Sequence, residues 1–254
     1  MPRPSVPRPL VHGSPVQGSQ VQGSQVRGSP VQALTDDRHP TPVQTAGERR
    51  LTARGTERRR QLMDYATTRF AEQGYHPTSV AEIVQGIGVG KGVFYWYFSS
   101  KEELFLEILK ESQQALRRAQ RQGIGDEPDP LRRIELGIRS SMAWLDGHRH
   151  VFNLFQFAAT EERFAPAMRR GGEVAAADAA RHIEDGIDEG RIRDGDPEVL
   201  TNAVLGVTNQ LARVFIHERG ERGADVADAA VAFCLEGLLA EPAAPGTGPR
   251  TAGD

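Results

Sequence analysis

Short apolar stripes with a Gly-Val pair between them mark the best-patterned part of the chain. Val80, Ile83, Val84 and Ile87 recur at i, i+3, i+4 and i+7, the spacing of one helical face. Ser79, with Glu82 three residues on, forms a capping box and starts that helix. Gly88 ends it, since a glycine enters the left-handed region without a Cβ clash. Val89 fills the angle before a second short helix, Lys91 to Phe98, whose buried side is Phe94 and Phe98. Lys91, Gly92, Tyr95 and Trp96 then face away from that core together. Upstream, Leu62, Ala66, Phe70 and Tyr65 predict a helix from about Thr56 to Gln73, closed by Gly74. Downstream, Ser100 and Glu103 make another capping box, opening a helix with the stripe Leu104, Phe105, Ile108 and Leu109 that runs to about Gln120.

Beyond the breaker run Gly125-Asp126-Glu127-Pro128-Asp129-Pro130, the periodicity predicts helices at Leu131–Gly147, His150–Thr160, Arg163–Arg170, Glu173–Gly190, Pro197–His217 and Asp225–Leu239. No alternating strand pattern occurs, so the fold class is all-α. Residues 1–50 hold a five-residue Val-x-Gly-Ser-Pro/Gln repeat, a composition that cannot bury a core and is expected to be disordered. The organisation expected is an arm at 1–50, a helix-turn-helix domain at 51–101, a larger helical domain at 102–240 and a disordered tail at 241–254. The arm has two readings: a start assigned too far upstream, or a flexible extension whose Arg49, Arg50 and Arg54 reach a DNA groove.

Charge sharpens the picture. The net charge is −3, yet residues 47–101 carry nine Lys/Arg against five Asp/Glu, while residues 102–254 carry eighteen against twenty-seven. A basic module on an acidic body suits a protein that touches nucleic acid with one end. An exposed Lys, Tyr and Trp beside a glycine fit a phosphate-lined groove: Thr78, Ser79, Lys91, Tyr95, Tyr97 and Lys101 are the expected phosphate contacts, and Gly92 and Trp96 the expected approach to base edges. In the competing reading Tyr95 and Trp96 are core aromatics and the chain is a helical enzyme or protein-interaction module that keeps the helix-turn-helix shape without binding DNA.

The residues Thr78-Ser79, Ile83, Gly88-Val89, Lys91-Gly92, Phe94-Tyr95, Tyr97-Phe98 and Ser100 through Leu104 resemble the amino-terminal pattern of TetR/AcrR-type repressors over about fifty residues, Arg58 to Leu109. Gly90 departs from that pattern, which carries Ser or Ala there. The resemblance implies a three-helix DNA-binding domain joined to a larger helical ligand-binding and dimerisation domain. It further implies a homodimer on a palindromic double-stranded operator, released when a small-molecule effector shifts the helix that begins at Ser100. The last two long helices would form a four-helix bundle between the subunits. Their apolar seams, Leu200, Val204, Val207, Leu211 and Val214 on one and Val226, Ala230, Phe233 and Gly237 on the other, read as that interface or as closure of the monomer core. Trp144, Phe152, Phe155 and Phe157 fall on the helices that line the effector cavity in similar proteins, with His148, Asn153 and Asn202 as polar partners; plain core is the alternative.

Several chemistries find no residues to stand on. Gly86 to Gly92 has Gln85 and Gly92 where a phosphate loop needs Gly and Ser/Thr. No nucleophile-elbow, His-Glu-x-x-His or paired-Cys motif appears, so no enzymatic activity and no cofactor are expected. His148, His150, Asn153 and Gln156 lack the Cys or carboxylate that would complete a metal set. The lone Cys234 excludes an internal disulfide and fits the cytoplasm. No secretory signal and no stretch approaching ~20 apolar residues is recognised, so no membrane partner is expected.

Overall fold

The computed structural model describes residues 52–239. The expected segments 1–50 and 241–254 lie outside it. Among the described residues the chain is all helix, with α1 at Ala53–Gln73, α2 at Val80–Gly86, α3 at Lys91–Tyr97 and α4 at Lys101–Ile124. There follow α5 at Pro130–Gly147, α6 at Arg149–Thr160, α7 at Ala165–Asp188, α8 at Pro197–Leu211 and α9 at Gly223–Leu238. No strand occurs among these residues, only an isolated bridge between Ile192 and Leu239.

The caps follow the sequence, with one change. The Ser79 hydroxyl accepts from the Glu82 backbone N–H at 3.2 Å and the Ser100 hydroxyl from that of Glu103 at 3.0 Å. The returning halves of both boxes are spent elsewhere. Glu82 pairs with Arg69 of α1 at 2.7 Å, and Glu103 accepts from the Ser99 N–H at 2.6 Å. Gly88 adopts φ +68° in the turn between α2 and α3, as the turn requires. At Gly90 no side chain caps α3.

Two expectations about helix continuity are corrected. The helices expected at Arg163–Arg170 and Glu173–Gly190 are one helix, α7. Gly171 does not break it but lets it approach α4 closely, since a Cβ there would lie 2.3 Å from the Gln113 side chain. The helix expected from Pro197 to His217 is continuous but changes winding: α8 passes at Ala212–Glu218 into a π-helical segment. Within the 22 residues Pro197–Glu218 an 18-residue window reaches a mean hydropathy of 1.2, so by length and composition alone this is one helix among the described residues that could cross a membrane. Its window is only 28% buried, which leaves an apolar face uncovered in the single chain.

Buried side chains gather into two cores. The first joins Leu62, Ala66 and Phe70 of α1, Ile83 of α2 and Phe94 of α3 to Leu104, Phe105, Ile108 and Leu109 of α4. It does not stop at residue 101: Leu154 and Ala158 of α6, and Phe164, belong to it. Phe70, Tyr75, Phe105, Phe157 and Phe164 interlock with ring centroids 4.7–6.1 Å apart, the separations at which aromatic pairs attract beyond simple area burial. The second core joins α5, α7, α8 and α9. There α9 starts hard against α5, where a Cβ on Gly223 would come 2.6 Å from the Met142 carbonyl oxygen. The Gly223 N–H donates to Asp146 at 2.7 Å. Asp146 also holds Arg149, whose guanidinium donates to the Ile216 and Glu221 carbonyls. These bonds hold the Asp146 carboxyl below its usual range, the Gly223 N–H first and Arg149 second.

Candidate functional site

On α3 the apolar positions turn inward and leave a polar and aromatic face outside. Phe94 is fully buried and Phe98 nearly so, whereas Tyr95 and Trp96 stand 54% and 44% exposed. Lys91 and Gly92 are exposed on the same helix, and nothing lies within 4 Å of a Cβ built on Gly92. No packing demand therefore selects glycine there, and open space remains for another molecule's approach. Tyr97 is half-buried and meets Trp96 edge-on at 4.5 Å. The Ser79 side chain is exposed and occupied by its cap.

Two of the expected phosphate contacts are corrected. The Thr78 side chain is fully buried, and its hydroxyl donates to the Gly74 carbonyl at 2.9 Å. Lys101 is turned into the protein: its Nζ donates to the Tyr75 and Thr78 carbonyls, each at 2.8 Å, and to the His76 carbonyl at 3.3 Å. It also lies 4.3 Å from the Tyr75 ring centroid. The loop between α1 and α2 has carbonyls no helix can satisfy, and the first lysine of α4 satisfies three of them. Burial, and then the charge of Arg163, pull the Lys101 amine below its usual value. Lys101→Met should lower stability by about 1–2 kcal/mol, a charge-assisted network discounted for partial exposure. It should leave the salt slope of DNA binding unchanged, whereas Lys91→Ala should reduce that slope by about one unit per subunit. Thermal melts and salt titrations of the two variants check this.

The sequence reading gave Arg54 to the arm as a groove contact and missed Thr52, Gly55 and Arg58 beside it at the start of α1. Thr52, Arg54, Gly55 and Arg58 form one wall of an open groove whose other wall is Val89, Gly92, Val93, Trp96 and Tyr97. Arg54 and Arg58 are one helical turn apart, a spacing visible in the sequence, but nothing there shows that α1 begins beside α3. Arg49 and Arg50 lie outside the described residues.

The comparisons with known proteins address this same module. Residues 62–108 match the family model described as "Bacterial regulatory proteins, tetR family". Residues 62–108 are thus a TetR-type DNA-binding module of a transcription regulator. An HTH-type regulator of Bacillus subtilis, YdgC, is 24% identical over 197 residues, covering 74% of this chain and 95% of its own. The HTH-type activator FasR of Mycolicibacterium smegmatis is 33% identical over 100 residues, which span 38% of this chain and 46% of FasR. Among solved structures, FadR from Bacillus subtilis in complex with stearoyl-CoA superposes with a TM-score of 0.64 at 20% identity, over 70% of this chain and 98% of its own. That likeness shows the fold: an amino-terminal helix-turn-helix on a larger helical body. These are transcription regulators rather than enzymes.

The helical body holds a partly open cavity of about 60 Å³, and the four residues expected to bind ligand do not line it. Phe152 is buried in the second core, 4.9 Å from the His217 ring. Phe155 packs against the first core. Trp144 stacks on His148 at 4.2 Å beside an open groove between α1 and α4. Asn202 is exposed and donates to the Glu198 carbonyl at 2.8 Å. Of the polar partners, only His148 is near Trp144. Aromatics at helical spacing on α6 point to both cores, away from the space between α5, α7 and α8.

The cavity is walled by Gln120 of α4, by Arg133, Ile134, Gly137, Ile138 and Ser141 of α5, by Ala179, His182 and Ile183 of α7, and by Thr201, Val204, Leu205 and Thr208 of α8. Among the described residues three buried side-chain polar atoms lack a hydrogen-bond partner: Arg133 Nε, His182 Nδ1 and Thr201 Oγ1. All three residues are in this wall. The other wall hydroxyls are served by the carbonyl one turn back, Ser141 donating to Gly137 at 2.7 Å and Thr208 to Val204 at 2.8 Å. Burial, then the Arg133 and Arg181 charges, push the His182 imidazole below its usual value.

The expected dimer seam divides between the monomer core and the surface. Val226 and Ala230 are buried in the second core, and Val204, Val207 and Leu211 pack against it. That stripe closes the monomer. One residue, or about 100° around the helix, separates it from the exposed stripe Val199, Ala203 and Gly206 of α8. Of the named seam, Phe233 and Gly237 remain outside, Phe233 at 66% exposure.

Proposed function

We propose that this chain is a dimeric repressor that binds a palindromic operator through α3 and leaves it when a small molecule fills the cavity among α4, α5, α7 and α8. The observation that carries the DNA-binding part is the α3 surface, with Tyr95 and Trp96 exposed beside an unobstructed Gly92. Core aromatics would be covered; these are not. The groove between α3 and the start of α1 adds Arg54 and Arg58 to the candidate contacts Ser79, Lys91 and Tyr97. A single helix-turn-helix reads few bases, and a two-fold dimer over half-sites about 34 Å apart is the usual remedy. A cytoplasmic setting goes with this reading.

The second copy is the occupant favoured for the uncovered apolar face of α8 and α9. Val199, Ala203 and Gly206 with Phe233 and Gly237 give a surface of small residues around one large aromatic, on a helix whose hydropathy is high for its burial. Gly237→Arg is open space in the monomer and replaces a poor helix former. It should leave folding intact while converting a micromolar dimer to monomer, as read by sedimentation; an unaltered dimer would move the interface elsewhere.

Coupling has a physical route in α4. Its amino-terminal half is part of the first core, and Gln120 near its other end lines the cavity, donating to the Ser141 hydroxyl at 2.8 Å. A ligand that displaces Gln120 tilts the helix on which the DNA-reading unit rests, and a coupling of ~1–3 kcal/mol corresponds to roughly 5–150-fold release. The test is operator affinity by fluorescence anisotropy for the full chain and for Val204→Trp, which fills the cavity from α8. The filled variant should bind DNA constitutively or be locked off it, and in either case stop responding to effector. A variant that still responds in full would remove the cavity from the mechanism.

A further inference from the structure

The lining of the cavity specifies what it takes. Arg133 is permanently charged and its Nε–H can only donate. Its charge is already matched, because the same guanidinium donates to Asp185 at 2.8 Å. The Thr201 side chain is 1% exposed and, unlike Thr208 on the same helix, does not bond the carbonyl one turn back. His182 Nδ1 faces the same space, in a ring that burial disfavours as a cation. The rest of the lining is largely apolar, with Ile134, Ile138, Ile183, Val204 and Leu205 offering no polar side-chain atom.

We infer that the effector is an uncharged, largely apolar molecule carrying a carbonyl or similar acceptor oxygen, placed between Arg133 Nε and the Thr201 hydroxyl; this rests on the reading of the cavity as the effector site. The acceptor oxygen satisfies two donors that burial otherwise leaves unmet, and His182 serves a second polar atom as acceptor or donor, whichever its tautomer allows. A carboxylate in the same place brings a negative charge for which Asp185 has already taken the cation. Uncompensated charge in so apolar a space is costly. The volume suits a compact molecule, since each water needs ~10–15 Å³ by this measure and the cavity offers about 60 Å³.

The experiment uses the full chain with 13C-labelled isoleucine methyls and three probes of one carbon frame: cyclohexanone, methylcyclohexane and cyclohexanecarboxylate. Cyclohexanone should shift the Ile134, Ile138 and Ile183 methyls and bind roughly tenfold more tightly than either of the others. Thr201→Val, which keeps the shape, and Arg133→Lys, which keeps the charge beside Asp185, should each weaken cyclohexanone roughly tenfold and leave methylcyclohexane unchanged. Tightest binding by the carboxylate would overturn the chemical class while leaving the cavity as a ligand site. Equal binding of cyclohexanone and methylcyclohexane, indifferent to both variants, would show that ordered water serves the three polar atoms. No shift at these isoleucines with any probe would remove the cavity as a ligand site, and the proposal with it.

Discussion

Trp96→Ala should cost the dimer roughly a hundredfold in operator affinity while leaving its melting temperature nearly unchanged. The indole stands 44% exposed on α3 and contributes little to the first core, so its removal opens no cavity. On DNA it would cover base edges or sugar at the centre of the α3 face, a contact worth about 1–3 kcal/mol. Each operator meets two copies, which doubles the penalty. Phe94, two positions earlier, shows the contrast: it is fully buried, and its truncation should unfold the module rather than disarm it. Anisotropy titrations beside thermal melts separate the two kinds of loss. A Trp96→Ala protein with full affinity would mean that α3 is not the reading helix.

Phe105→Ala should destabilise the protein by about 3–5 kcal/mol, the range for deleting a fully buried phenylalanine, and should uncouple the DNA-reading unit from the body. Phe105 is 0% exposed on α4 and meets Phe70, Tyr75, Phe157 and Phe164 at 4.7–5.8 Å. Phe70 and Tyr75 belong to the DNA-reading unit and Phe157 and Phe164 to the segment after α5, the two parts that the proposed effector would have to connect. Denaturant unfolding should show the loss. At a temperature where the variant is still folded, hydrogen exchange should rise in α1–α3 more than in α5 and α9. Uniform exchange across both cores would mean that the aromatic cluster is not the joint.

The local part of this architecture was legible in the sequence because it is written in local signals. Ser79 and Ser100 cap the helices they were expected to cap, Gly88 takes the left-handed turn, and Phe94 and Phe98 face inward while Tyr95 and Trp96 face out. Lys101 was misjudged because its partners, the carbonyls of Tyr75, His76 and Thr78, are more than twenty residues away. A basic residue beside a basic module looks like a phosphate contact until the loop it ties down is known. Gly171 and Gly172 read as a helix break, yet the close approach of α7 to α4 gives Gly171 a place inside a helix. The cavity was harder still. Arg133, His182 and Thr201 lie on three different helices, and only the packing of α5, α7 and α8 makes neighbours of them. The stripe read as a seam on α8 lies a single position from the exposed one, which is enough on a helix to exchange the surface for the core face.

Selection of bound duplexes from a random double-stranded pool by the full chain, followed by a salt titration on the winner, tests the central claim most directly. The account predicts a palindromic consensus with half-sites about one helical turn, ~34 Å, apart. It also predicts a log K that falls linearly with log salt and loses about two units of slope in the dimer when Lys91 is replaced by Ala. A pool that shows no enrichment, or binding whose strength is indifferent to salt and to Lys91, would contradict it.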